Sequence, residues 1–273
     1  MNKILLCTDC SENAKQATDQ CLFLFKDQPT TYLLLYTYSI EDKNVKDLVA
    51  YNDGLKKHVN QCLEAEVERI KKLPYAQNIS IVTRSVFGKT ENVIKRFIAK
   101  SEVDLIAIGN QGNNYSTTRL FGSTAERLLY DIERPKLIVP KQLRTPSSAK
   151  EVLVVQENEL HNMEWWSTVT AISKLDNLSF KLVVLPNAKG NKAEISIPSS
   201  IHKYLTSLTD FSTSTTSELK EQIQKVIQAE KPSLLHLNIK DLYLAEQLLK
   251  ESQPINSVFN KVPFFVQPFR NMR

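Results

Sequence analysis

Three of the six glycines in this 273-residue chain stand in one short window, at positions 109, 112 and 122. Glycine lets the backbone turn tightly and approach a ligand without a Cβ atom in the way, which is the role expected of Gly109 and Gly112. Gly122 comes just before a predicted helix that begins with Ser123 and Thr124, where free N–H groups and hydroxyls together can bind an anion. The window predicts a site for a di- or triphosphate, and the alternative is a long surface loop with glycines at its turns.

The glycine window matches neither of the two common phosphate-binding motifs. No Gly-Lys-Ser/Thr is present, G-x-G-x-x-G is absent, and the window follows a fourth predicted strand rather than a first. A catalytic ATPase also needs a positioned base and usually metal ligands, and Asp9 is the only well-placed carboxylate. The four histidines share no motif. The sequence therefore favours binding over catalysis, with no catalytic residue and no metal ligand predicted.

Cys7 and Cys10 form a C-x-x-C, which suggests a redox pair, half of a zinc site, or two structural cysteines. No second C-x-x-C or H-x-x-x-H is available to complete a zinc site. Cys7 continues an apolar run and is expected to point into a core, so the structural interpretation is favoured. Disulfides are not expected in a protein of the reducing cytosol.

Apolar strands alternate with amphipathic helices through the first half of the chain. This alternation predicts a parallel sheet covered by helices on both faces. The glycine window then begins at the carboxyl end of a parallel strand, where open α/β sheets bind ligands. Strands are predicted at 3–8, 31–38, 79–87, 104–109 and 135–140, and helices at 11–26, 44–73, 90–100 and 123–132.

The same pattern restarts after a linker at 141–148, which indicates a tandem duplication. A third strand cannot be identified in the Ser-, Thr- and Pro-rich stretch 187–216. The strand at 234–239 runs straight toward a helix near Asp241 with no glycine loop between them, and Gly190 stands alone. The second half is therefore expected to lack the phosphate site. The predicted strands of the second half are 151–156, 180–185, 233–239 and 262–268.

Charge and hydropathy exclude two classes of partner. The net charge is +5, with no dense basic stripe, so nucleic acid is not expected. No window approaches 18 uninterrupted apolar residues, so no membrane span is expected. The amino-terminal apolar run is too short for a signal peptide, and the expected location is the cytoplasm.

The spacing Gly109-x2-Gly112-x9-Gly122-Ser123 resembles the nucleotide motif of the universal stress protein family at every position. Segments 3–12, 33–37, 86–88 and 137–140 are also similar to that family. The resemblance covers about residues 1–142 with specific motifs and 150–273 only by strand order. It departs at Cys7, where the family often has proline.

The resemblance implies an α/β fold of two Rossmann-like units of the adenine nucleotide alpha hydrolase-like type. Each would be a five-stranded parallel sheet with helices on both faces, and the two would form a pseudo-dimer. The expected domains are 1–143, with the intact nucleotide motif, and 149–273, a degenerate copy. The last strands, 136–140 and 262–268, are expected to pair within the chain, and a further homodimer is compatible with this arrangement.

The resemblance also implies an ATP-binding regulatory protein. The first domain would hold the adenine nucleotide, with or without Mg²⁺. The protein would act on a protein partner that the sequence does not identify. Asp9 would lie near adenine or ribose, Thr37 near adenine, and the glycines along ribose and phosphates. The alternatives are an interaction protein without nucleotide, and a slow ATPase or autophosphorylating protein. The implied nucleotide-binding residues are Asp9, Ser11, Thr37, Gly109, Gly112, Gly122, Ser123 and Thr124.

Overall fold

The computed structural model of the protein describes twelve stretches of the chain, and the fold is given for these residues. They are 3–39, 48–76, 79–100, 103–112, 121–132, 134–143, 145–146, 150–157, 179–185, 205–210, 216–238 and 262–266.

The first half of the chain folds as an alternating α/β unit whose five strands all run parallel. The strand order is β3-β2-β1-β4-β5, so the chain extends the sheet on one side of β1 and then crosses to the other. This reversal between β1 and β4 leaves a crevice at their carboxyl ends. The elements are β1 Lys3–Thr8, α1 Glu12–Leu24, β2 Thr31–Tyr38, α2 Leu48–Lys71, β3 Ser80–Phe87, α3 Thr90–Lys100, β4 Leu105–Gly109, α4 Ser123–Asp131 and β5 Lys136–Val139.

The second half repeats this strand order as β8-β7-β6-β9-β10, again with parallel pairs. Its third strand, which could not be identified from the sequence, is Leu205–Asp210. The helix expected near Asp241 lies outside the described residues. The elements are β6 Glu151–Glu157, β7 Ser179–Leu185, β8 Leu205–Asp210, α5 Thr216–Glu230, β9 Leu234–Asn238 and β10 Phe264–Val266.

The last strands of the two halves pair with each other, as predicted, and the structure shows that the pairing is antiparallel. Phe264 lies opposite Ile138, Phe265 opposite Leu137, and Val266 opposite Lys136. The two five-stranded units are therefore joined at β5 and β10 into one ten-stranded sheet.

Helices cover both faces of this sheet, and two apolar layers form the core. Because successive strand residues point to opposite faces, Leu5 and Cys7 pack in one layer while Ile4 and Leu6 pack in the other. The first layer includes apolar residues of α3, α4 and α5, and the second includes those of α1 and α2. Strands buried on both faces explain the continuous apolar runs in the sequence. No helix within the described residues is long and apolar enough to cross a bilayer.

Candidate functional site

A cavity of about 360 Å³ lies at the carboxyl ends of β1 and β4, in the crevice created by the strand order. Its wall comes from the turn after β1, the end of β2, the segment after β4 and the first turn of α4. All eight residues singled out from the sequence line it. They are Asp9, Ser11, Thr37, Gly109, Gly112, Gly122, Ser123 and Thr124.

The turn after β1 is held by three short-range hydrogen bonds. The Cys10 amide donates to Thr8 Oγ1 at 2.9 Å, and the Ser11 amide donates to Asp9 Oδ1 at 3.0 Å. Ser11 caps α1, because its Oγ accepts from the Ala14 amide at 3.2 Å. These bonds fix Asp9 and Ser11 at the edge of the cavity.

Gly109 is required by the packing of α1 on β4. A Cβ atom at this position would lie 2.5 Å from Oδ1 of Asn13, closer than any real contact. The same Oδ1 accepts from the Gln111 amide at 3.0 Å, while the Asn13 amide group donates to the Val139 carbonyl at 3.1 Å. Asn13 is buried and joins α1 to the glycine segment and to β5.

Sequence reasoning missed Asn13 and its neighbour Asn110. The Asn110 carbonyl accepts from the Gly122 amide at 2.7 Å, and its Oδ1 accepts from the Lys141 amide at 3.0 Å. Asn110 therefore links two described residues, itself and Gly122, that stand on either side of 113–120 in the sequence, a segment outside the described residues. A polar residue in the first turn of a capped helix, together with one directly after a buried strand, is the signal that could have found this pair.

Gly112 and Gly122 differ in what surrounds them. A Cβ atom at Gly112 would lie 2.8 Å from Asp9 Oδ2, so the glycine allows the carboxylate and the loop to approach each other. At Gly122 the nearest atom, the Cα of Gln111, would be 3.5 Å away, which is an ordinary contact. Gly122 also has an unstrained backbone, with φ −73° and ψ 161°. The described fold itself therefore does not require glycine at 122.

The first turn of α4 supplies polar groups to the cavity lining. Gly122 is the N-cap and has no side chain that could accept from the first-turn amides. Ser123 and Thr124 are exposed and line the cavity. The first amides of a helix have no partner inside it, and its dipole places partial positive charge there.

Part of the cavity lining is apolar. Leu35 of β2 and Ile108 of β4 contribute to it and are otherwise buried. Thr37, which also lines the cavity, shares a 2.6 Å hydrogen bond between its Oγ1 and that of Thr90. Among the described lining residues Asp9 is the only charged one, so an anion here would be held by amides and hydroxyls.

The predicted burial of Cys7 is confirmed. It lies in the first apolar layer, and burial raises the pKa of its thiol to about 12. Among the described residues no three His, Cys, Asp or Glu side chains are grouped so that they could hold a metal ion.

The family model of the universal stress proteins matches residues 1–140. The chain belongs to the universal stress protein family. A universal stress protein of Methanocaldococcus jannaschii is 26% identical over 143 residues, which cover 51% of this chain and 82% of that protein. The chain is thus similar to this relative over about half of its own length.

Two solved structures resemble the chain over almost its whole length. A universal stress protein from Archaeoglobus fulgidus has a TM-score of 0.66 at 16% identity, and the alignment covers 100% of this chain and 98% of that one. A functionally unknown protein from Pseudomonas aeruginosa has a TM-score of 0.53 at 11% identity, with coverage of 98% and 92%. At these identities the likeness is one of fold.

Proposed function

We propose that this universal stress protein binds ATP in the cavity of its first half and acts as a nucleotide-dependent regulatory protein. The observation that carries the proposal is that the eight residues expected from the sequence all line one cavity. These residues come from four separate segments of the chain. Unrelated residues from four separate segments would not be expected to line the same crevice.

The cavity fits the chemistry of an adenine nucleotide. Its volume of about 360 Å³ lies within the usual range of ~300–1,000 Å³ for ligand sites. Adenine would rest against Leu35 and Ile108, beside the backbone of Thr37. The phosphates would lie along Gly112 and over the first turn of α4.

The phosphate end supports an anion rather than a neutral ligand. The α4 amides have no side-chain cap, and Ser123 and Thr124 add hydroxyl donors beside them. Glycine at 122 is not required by the neighbouring protein atoms, which supports a role for its bare backbone toward a ligand. Bound ATP would supply a triphosphate whose presence or loss changes the charge next to α4.

The same residues favour binding over rapid turnover. Asp9 is the only carboxylate among the described lining residues, and its Oδ1 accepts the Ser11 amide. A Mg²⁺ ion accompanying the phosphates would have this carboxylate as its protein ligand, because Mg²⁺ prefers oxygen donors.

We assign ATP binding to a first domain of residues 1–143 and a joining role to a second domain of residues 149–273. All four cysteines are free thiols, which suits a protein acting in the cytoplasm. Because β5 pairs with β10, the second domain takes the place that a second subunit would have in a dimer.

The test replaces glycine by valine at two positions. Gly122→Val places a branched side chain beside the phosphate end, and we expect at least about a tenfold loss of ATP affinity, or 1.4 kcal/mol. The control is Gly54→Val in α2, where a Cβ atom meets nothing within 4 Å, so ATP affinity should stay at the wild-type value. Isothermal titration calorimetry measures both affinities, and thermal unfolding checks that both variants fold.

Two results would overturn the proposal. One is wild-type ATP affinity in a folded Gly122→Val variant, and the other is no measurable binding of ATP by the wild-type protein. Steady hydrolysis above about 1 s⁻¹ would replace the regulatory proposal by an enzymatic one, since that rate lies in the ordinary enzyme range.

A further inference from the structure

Two aromatic rings from opposite halves of the chain meet beside the first turn of α4. Phe121 directly precedes Gly122, the N-cap of α4, and Phe264 is the first residue of β10. Their ring centroids are 6.1 Å apart and the ring planes meet at 68°, an edge-to-face arrangement that aromatic pairs favour. Phe264 is fully buried and Phe121 is 9% exposed, so the contact belongs to the packed interior.

Within the described residues, Gly122 itself makes few packing contacts. An added Cβ atom would meet nothing closer than 3.5 Å, and the residue has no side chain to cap the helix. Its amide donates to the Asn110 carbonyl at 2.7 Å, and its carbonyl accepts from the Glu126 amide at 3.0 Å. The start of α4 is therefore held by this bond to Asn110 and by the packing of the adjacent Phe121.

These two supports come from different halves of the chain. The Asn110 amide donates to the carbonyl of Val139 at the end of β5, at 2.9 Å, so Asn110 is held by a strand of the first half. Phe121 instead packs against Phe264 of the second half. The N-terminus of α4, which we assign to the phosphates, thus depends in part on a side chain outside its own half.

The next residue of β10 faces away from this contact. Phe265 is as buried as Phe264, but it packs in the second apolar layer and its ring lies 6.0 Å from that of His236. Phe264 packs in the first layer, which also contains Phe121 and Ala125 of α4. Successive strand residues point to opposite faces, so the ring of Phe264, and not that of Phe265, reaches Phe121.

We propose that Phe264 is a positioning residue for the nucleotide site. Through Phe121 it holds the first turn of α4 where the phosphates bind, so the second half of the chain completes the site of the first. This inference rests on the proposed binding of ATP. The first-turn amides of a helix bind an anion together, so a displaced turn weakens several hydrogen bonds at once. Adenosine has no phosphates and would not depend on this turn.

The first experiment shortens each of the two neighbouring rings on β10. Phe264→Leu keeps an apolar side chain but removes the ring that meets Phe121. We expect about a fivefold loss of ATP affinity, the size to which one aromatic pair corresponds, with adenosine affinity unchanged. Phe265→Leu is the matched control, because it shortens an equally buried ring on the same strand, and both affinities should stay at their wild-type values. Isothermal titration calorimetry measures the affinities, and thermal unfolding checks that the variants fold.

A second variant tests the route through Phe121. Phe121→Leu removes the same ring contact from the side of the first half, so it should reproduce the loss of ATP affinity. The double variant, Phe121→Leu with Phe264→Leu, should bind ATP about as well as either single variant, because both changes remove one shared contact. Two losses that multiply would show that Phe264 does not act through Phe121.

A measurement without nucleotide separates this inference from the proposed function. The amides of Gly122 and Glu126 are hydrogen bonded at the first turn of α4, so their exchange with solvent reports opening of that turn. In ligand-free Phe264→Leu we expect both amides to exchange severalfold faster than in the wild-type protein, and in Phe265→Leu at the wild-type rate. NMR hydrogen exchange gives these rates.

Four results would overturn the inference. They are wild-type ATP affinity in a folded Phe264→Leu variant, equal losses of ATP and adenosine affinity in that variant, the same loss of ATP affinity in Phe265→Leu, and equal exchange rates in all three proteins. If the wild-type protein binds no ATP, the proposed function fails, and the exchange rates alone decide whether Phe264 positions the turn.

Discussion

The three glycines of the site serve different physical needs, although the sequence motif treats them alike. Gly109 accommodates Asn13 of α1, and Gly112 accommodates the Asp9 carboxylate. At Gly122 an added Cβ atom would meet no atom of the described residues closer than 3.5 Å. The first two allow parts of the protein to approach one another. The third leaves backbone bare where the proposed phosphate would lie.

Alanine substitutions distinguish these needs. Gly109→Ala would force a Cβ atom against Asn13, so we expect a loss of about 1–3 kcal/mol in the free energy of unfolding, as in other overpacked sites. Gly122→Ala meets only ordinary contacts and should change this free energy by less than about 0.5 kcal/mol. Urea denaturation measures both values.

A double variant tests whether Asn13 causes the loss of stability expected in Gly109→Ala. Shortening Asn13 to alanine removes the side-chain atoms 2.5 and 2.7 Å from the added Cβ, although the Asn13 carbonyl at 3.0 Å remains. Asn13→Ala with Gly109→Ala should therefore cost less than the sum of the single changes, by at least about 0.5 kcal/mol. Strict additivity would show that the strain lies elsewhere.

Among the elements, α2 depends on a buried ion pair to fix its position. The Glu66 side chain is 3% exposed, and Arg69 holds it while reaching across to Asp19 of α1. A second pair with the same i,i+3 spacing, Glu68 with Lys71, lies near the end of the helix but is fully in solvent, at 64% and 65% exposed. One helix thus contains both a structural ion pair and a surface one.

Arg69→Met should destabilise the protein by about 3 kcal/mol, since it leaves a buried carboxylate without its partner. Lys71→Met is the matched control and should cost no more than about 0.5 kcal/mol, because exposed pairs contribute little. Thermal and urea unfolding at pH 7 compare the two variants. Equal effects would mean that the Glu66 carboxylate is solvated despite its low exposure.

Most elements could be predicted because their signals are local. Strands β1 and β2 and helix α3 have the predicted ends, and Ser11 caps α1 as expected. Strand β8 was missed because its sequence, Leu-Thr-Ser-Leu-Thr-Asp, has only two apolar residues and it pairs with an irregular register at Phe180, at the edge of the described sheet. An edge strand needs no continuous apolar run.

The site could be predicted only in part, because its support comes from distant residues. The eight lining residues belong to local motifs, whereas Asn13 binds partners 98 and 126 positions away.

At the scale of the whole molecule, β5 and β10 join the two halves within the described residues, and this seam lies close to the site. Phe264 of β10 contacts Phe121 with ring centroids 6.1 Å apart, and Phe121 directly precedes Gly122. Val139, the last residue of β5, accepts hydrogen bonds from Asn13 and Asn110. The second half therefore packs, through Phe264, against the residue that precedes Gly122.

The seam also buries a lysine. Lys136 lies opposite Val266, is fully buried, and donates from Nζ to the carbonyls of Ile132 and Arg134. Burial lowers the pKa of its ammonium group from 10.5 to about 7. Between these two values the unfolded chain binds a proton that the folded chain has released.

Stability should therefore rise with pH above about 7, with a slope approaching 1.4 kcal/mol per pH unit. The effect of Lys136 on stability can be measured up to about pH 8.5. Above that pH the thiols of the unfolded chain begin to lose protons while the buried Cys7 and Cys21 keep theirs, and this lowers stability as pH rises. Lys136→Met removes the titrating group and should flatten the rise between pH 7 and 8.5. Urea denaturation at half-unit steps measures both slopes. Equal slopes of stability against pH in the two proteins would show that the carbonyls of Ile132 and Arg134 keep the Lys136 ammonium charged. The two halves would then join around a buried charge rather than around a neutral amine.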